Sequence, residues 1–211
     1  MFSLTNKFNQ GMAKVFDWMG LNVIFLLLCL PVVTIGANLT ALYSVTMKMA
    51  DKEDYYPFKL FFQELSRNWK QATVIWMMLL TLAAVLYFDY RLVVENNIFQ
   101  TVLIPLLYFF AGLGIIYLLY VFPILAKFPN PIKVTLKNTF LIAIGFLPYS
   151  ILLLLIVVGP ALAMIYWLPH YTPYLLYFYL VIGVSFTAYL QSFFLNRIFR
   201  KVIQTAQTER G

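Results

Sequence analysis

One cysteine, Cys29, and one histidine, His170, stand in a chain of 211 residues. A lone thiol closes no disulfide framework, and neither residue has a partner for a Cys/His metal site. Charge is scarce as well, at 11% of the chain, where a soluble domain carries about a quarter. Apolar and aromatic residues reach 63% and the mean hydropathy is +0.83. Such a composition cannot be hidden in a water-soluble fold, because much of a domain of this size is surface. No HExxH pair, nucleotide-binding loop or GxSxG elbow occurs. These absences imply an integral membrane protein: one all-α transmembrane domain over residues 1–211, with no cofactor, no metal and no equipment for enzyme catalysis.

What charge there is lies in short segments between long apolar runs, as the positive-inside rule produces, so the net charge of +7 does not point to nucleic acid. A spanning helix takes about 20 largely apolar residues. Five runs qualify, at 20–46, 73–88, 101–125, 139–158 and 174–194, the first broken by Pro31 and Gly36. Five spans divide Lys and Arg 12 against 3, which places the C-terminus and the segment around 51–72 in the cytoplasm and the N-terminus outside. A rival reading folds the first run into a hairpin, giving six membrane segments and a division of 14 against 1. Its arms, about 11 residues each, would be too short to cross, so a single kinked span is expected.

Segment 57–70 sets Phe58, Phe61, Phe62, Leu65 and Trp69 on one helical face and Lys59, Gln63, Glu64, Arg67 and Lys70 on the other. The pattern predicts an interfacial amphipathic helix lying on the lipid bilayer. Phe8, Met12, Val15, Phe16 and Met19 repeat it near the N-terminus.

After Pro31, Thr34 is placed to cap a new helix. Gly36, Thr40 and Ser44 follow at i, i+4 and i+8, a small-residue stripe suited to close helix packing. Helix breaks also form solute sites in transporters, which makes Thr34 and Asn38 candidates for substrate contact. Ser185, Tyr189, Ser192 and Asn196 make a polar face on the last span. That face can bond to other helices or line a path for a polar solute. No span carries a central ionisable residue, so a proton relay has no evident parts. Asp51, Glu53 and Asp54 beside Lys52 read as a solvated turn. The aromatics at Tyr166, Trp167, Tyr171, Tyr174, Tyr177, Phe178 and Tyr179 read as an interfacial belt.

Four blocks extend this reading: PVVTIGANLTALYSVTMKM, YYPFKLFFQELSRNWKQATVIW, FPILAKFPNPIKVTLKNTF and SFTAYLQSFFLNRIF. Together they resemble the YesL family of small multi-pass membrane proteins of bacteria. Pro31, Thr34, Gly36 and Tyr43 stand where that family's proline–threonine–glycine segment is expected, and Asn68, Lys70, Gln71 and Ala72 match its basic junction. Asn38 departs from it, replacing a small residue. The resemblance implies a multi-pass protein of the bacterial cell membrane, encoded near carbohydrate uptake systems, with subunits of ABC-type sugar importers as partners. It supplies no catalytic residues. The expectation is a non-enzymatic accessory protein of carbohydrate uptake; the alternative is a small permease for a neutral polar solute.

Overall fold

The computed structural model describes the backbone of residues 2–53, 56–96, 99–166 and 169–208. Of these it describes all side chains except those of 2–10, 96, 161, 163–166, 169 and 206. Eight α-helices follow one another: α1 (Phe2–Leu28), α2 (Ile35–Asp51), α3 (Pro57–Asn96), α4 (Gln100–Lys127), α5 (Ile132–Gly145), α6 (Leu147–Tyr166), α7 (Thr172–Phe178) and α8 (Val184–Thr208). A 3-10 turn, Val32–Thr34, precedes α2, and a π-helical turn, Tyr179–Gly183, joins α7 to α8. There is no strand among the described residues. Four stretches are long and apolar enough to cross a membrane: Gly11–Leu28, Pro57–Glu95, Gln100–Lys127 and Thr172–Thr205. The α5–α6 pair makes a fifth if it is counted as one broken span.

The first long run is not one kinked span. Trp18 packs on Phe186 and Tyr189, while Asn22, one turn later, bonds to the Leu180 carbonyl and the Ser185 amide. Contacts that ascend α1 therefore descend α8, and the two helices are antiparallel. Tyr43, Met47 and Asp51 meet Gln191, Asn196 and Arg200 in the same order, so α2 runs parallel to α8. Hence α1 and α2 point in opposite directions. Pro31 has no N–H to continue a helix and disfavours helical geometry in the residue before it. The arms also exceed the expected 11 residues. The N-terminal amphipathic stretch is part of α1 itself, which has 27 residues, and α2 has 17. Phe8 lies outside the described side chains.

Segment 57–70 is likewise not a separate surface helix. It is the opening of α3, a single helix of 40 residues. Pro57 is tolerated at the first helical position, and neither glycine nor proline follows before the helix ends at Asn96. Gly36 lies against Ala72 and Trp76, and α2 joins α3 through the short segment 52–56. This pairs α2 antiparallel with the first part of α3. Phe61, expected to face lipid, is fully buried.

The fourth run is bent by 96° between α5 and α6. Phe146 interrupts the helix two residues before Pro148, and the Ser150 hydroxyl lies 2.9 Å from the Ala143 carbonyl and 3.3 Å from that of Phe146. Tyr120 reaches the same hydroxyl at 3.0 Å. Carbonyls freed by the bend are thus met inside the protein, as a low-dielectric surrounding demands.

At the centre sits α2. Ala37, Ala41, Leu42, Val45 and Met47 are buried among α3, α4 and α8, and so are Asn38, Thr40, Ser44 and Thr46. Lipid tails are as apolar as leucine, so association here rests on close packing and interhelical hydrogen bonds rather than on escape from water.

Candidate functional site

Along a seam between α2 and α8, Tyr43, Thr46, Gln191 and Ser192 bond to one another and to backbone carbonyls. The Tyr43 hydroxyl donates to Gln191 Oε1, and Gln191 Nε2 donates onward to the Leu153 carbonyl of α6 at 3.3 Å. Ser192 Oγ lies 2.9 Å from Thr46 Oγ1 and 2.7 Å from the Ala188 carbonyl. Asn196 Nδ2 donates to the Met47 carbonyl at 2.9 Å. Thr40 and Ser44 turn their hydroxyls onto carbonyls of their own helix, Gly36 at 2.9 Å and Thr40 at 3.0 Å.

Asp51 ends the seam, paired with Arg200 of α8 and lying 3.9 Å from Lys127 of α4. The acidic turn is therefore not merely solvated. At its first residue it ties three helices together, because Asp51 remains on the last turn of α2 and faces the bundle. Asp54 lies outside the described residues. Among those described, no group of three or more His, Cys, Asp or Glu could hold a metal ion.

Each sequence candidate has a definite place. Thr34 does not cap α2 with its side chain. Its hydroxyl turns back to the Leu28 and Pro31 carbonyls, at 2.6 and 2.7 Å, because the break leaves the carbonyls of α1 in need of donors. Asn38 Nδ2 joins it on the Leu28 carbonyl at 2.7 Å, while Asn38 Oδ1 is buried without a partner. Ser185 uses its backbone N–H; its hydroxyl is buried and unpartnered. Tyr189 packs its ring on Trp18 and Phe193. Asn196 Oδ1 is also unpartnered. These candidates do not converge. Thr34 and Asn38 serve the α1–α2 turn, Ser185 serves α1–α8, and Ser192 and Asn196 serve α2–α8.

At Gly36 helices come into close contact. A Cβ there would stand 2.6 Å from the Trp76 Cβ, 2.8 Å from the Ala72 carbonyl oxygen and 2.9 Å from the Phe122 ring. On the face of α3 away from α2, Lys59, Phe62, Arg67, Trp69 and Lys70 are exposed. Arg67 pairs with Glu64 at 3.2 Å, and the Lys70 ammonium lies 5.7 Å from the Trp69 ring centre. Phe58 rests its ring against Gly20 of α1.

Sequence reasoning missed Asn22. It is fully buried, donates to the Tyr179 and Leu180 carbonyls at 3.0 and 2.9 Å, and accepts from the Ser185 N–H at 3.1 Å. These are backbone groups of the π-helical turn and of the first turn of α8. The available signal was a lone amide in the otherwise apolar stretch Leu21–Leu28.

Among the cavities beside this framework are two of similar volume. A groove of about 380 Å³ separates α3 from α4 and is lined by Leu79, Leu86, Tyr90, Tyr108, Ala111 and Leu118, among others. A second, of about 400 Å³, lies among α2, α4, α6 and α8. Of the substrate candidates named from sequence, none lines it.

Residues 18–90, from α1 through most of α3, match the family described as "Protein of unknown function, DUF624". The chain is also 26% identical over 163 residues to the uncharacterized protein YteU of Bacillus subtilis (strain 168), which covers 77% of this chain and 71% of that one. No solved structure matches. The sequence is thus similar to proteins described only as of unknown function or uncharacterized, and the matched region holds the α1–α2 reversal and the contact of Gly36 with Ala72 and Trp76.

Proposed function

We propose that this chain is a non-enzymatic accessory protein of the bacterial plasma membrane that acts by contact with another membrane complex. The resemblance to the YesL family directs the proposal to carbohydrate uptake, with subunits of an ABC-type sugar importer as the partner. The observation that carries it is the seam between α2 and α8. Tyr43, Thr46, Gln191 and Ser192 are spent on one another and on backbone carbonyls, and the neighbouring cavity is apolar. A sugar entering there would give up hydrogen bonds to water with little in return, which is costly.

Sidedness supports the same reading. The start of α1, the end of α2, the start of α3, the end of α4 and the end of α8 share one end of the bundle, where Asp51 meets Lys127 and Arg200. Of the Lys and Arg residues whose side chains are described, all but Arg91 belong to the half around that end. Lys7 and Arg210 lie outside the described side chains. The positive-inside rule assigns this half to the cytoplasm, with both termini on that side. There the exposed face of Lys59, Phe62, Arg67, Trp69 and Lys70 is available to headgroups and to a partner subunit.

Crosslinking in intact cells, followed by purification of the full-length protein, tests the proposal. Importer subunits should co-purify, and replacing Phe62 and Trp69 by alanine should reduce their recovery severalfold without lowering expression. Recovery of no transporter subunit under crosslinking would overturn it.

A further inference from the structure

We propose that the cavity enclosed by α2, α4, α6 and α8 is a binding site for a single acyl chain. About 400 Å³ of half-open space adjoins α2, whose residues are mostly buried, and its apolar walls call for an apolar occupant. The volume lies within the range of small-molecule sites.

Its walls define the chemistry. Leu39 and Leu42 of α2, Phe122 of α4, Val157 of α6, and Val184 and Ala188 of α8 present hydrocarbon. Four polar side chains lie at the wall, Tyr43, Tyr179, Thr187 and Gln191, of which the deeply buried pair Tyr43 and Gln191 is committed to each other and to the Leu153 carbonyl. Water needs two to four polar partners to stay in a cavity, and committed groups offer few. A polar solute meets the same difficulty. An alkyl chain needs none of these bonds.

The site also has an entrance of the right kind. Val157 is 38% exposed and Tyr179 is partly exposed, so the rim between α6 and the π-helical turn opens sideways, toward where lipid would lie. That rim is held by Asn22, whose amide engages the Tyr179 and Leu180 carbonyls. Turns of π-helix recur at functional sites. Here the turn places an aromatic side chain at the mouth of an apolar cavity, and a residue from another helix fixes it there.

An acyl chain reaches the cavity either as part of a phospholipid or as a free fatty acid. The test uses the full-length protein in nanodiscs and two photoreactive probes: palmitate carrying a diazirine near its methyl end, and phosphatidylglycerol carrying the same chain. After irradiation, adducts are mapped by peptide mass spectrometry. The proposal expects adducts concentrated on Leu118, Leu119, Val157, Val184 and Thr187, several times more frequent than on exposed Val85 and Phe109. Labelling by palmitate alone identifies a fatty-acid site, and labelling by the phospholipid identifies a lipid site. Ala188→Phe, which fills the cavity from a buried position, should reduce these adducts at least fivefold while leaving those on Val85 and Phe109 unchanged. Should that variant fold poorly, Val157→Phe at the rim gives the same reading. Adducts spread evenly over all apolar faces, or cavity adducts that persist in a folded filling variant, would overturn the site.

Discussion

At Gly36 a single hydrogen stands where any other side chain would begin inside its neighbours. The closest atoms include a backbone oxygen, Ala72 O at 2.8 Å, which cannot swing aside as a side-chain tip can. Forcing extra carbon into a packed contact costs about 1–3 kcal/mol. Gly36→Ala should therefore lower the thermal midpoint of the purified protein measurably. Gly112→Ala, where nothing lies within 4 Å of the added carbon, should leave it unchanged or raise it. Equal midpoints for the two variants would show that the contact carries no weight. The stripe of Gly36, Thr40 and Ser44 was legible in the sequence, because small residues at a four-residue spacing imply a close helix neighbour. Asn22 was not. Its value depends on a π-helical turn more than 150 residues away, and nothing near Asn22 announces that turn.

Among the elements, α3 shows how a change of composition can pass for a boundary. Its first third is amphipathic and the next part is apolar, so a surface helix followed by a span is the natural reading. Yet neither glycine nor proline stands between Phe58 and Asn96 to end the helix, and of the face that lipid was expected to cover Phe61 is buried in the bundle while Phe62 and Trp69 stay exposed. Spin labels at 63 and 88, on a background without Cys29, should lie about 38 Å apart at the backbone, from the 1.5 Å rise of a continuous helix. A clearly shorter distance would mean that the chain bends near residue 70. The converse holds for α5 and α6. Pro148 within the fourth run was visible in the sequence, but a proline can kink a helix modestly or divide it. The choice here rests on Ser150 and Tyr120, which bond at the bend.

For the molecule as a whole, the helical class and the apolar helices followed from composition and run length, whereas the path of the chain did not. Counting Lys and Arg could not separate a kinked first run from a hairpin, since both leave basic charge in excess on the side of the C-terminus. The α1–α2 reversal rests on pairings with α8 across the whole chain, and those pairings are invisible to local pattern. It places both termini on one side. A cysteine at position 12, introduced after Cys29 is removed, should therefore react with an impermeant maleimide only in permeabilised cells, as should one at position 204. One at position 99, in the α3–α4 turn, should react in intact cells. Labelling of position 12 from outside would restore the single kinked span.

On the function proposed for this chain, the polar groups of the bundle hold its helices together and do not carry a solute. Purified full-length protein reconstituted in liposomes, assayed for uptake of radiolabelled neutral sugars and polyols, tests that claim most directly. The prediction is uptake indistinguishable from protein-free vesicles. Saturable uptake that is lost when Ser192 and Asn196 are replaced in a variant of unchanged thermal stability would contradict it and make the seam a transport path.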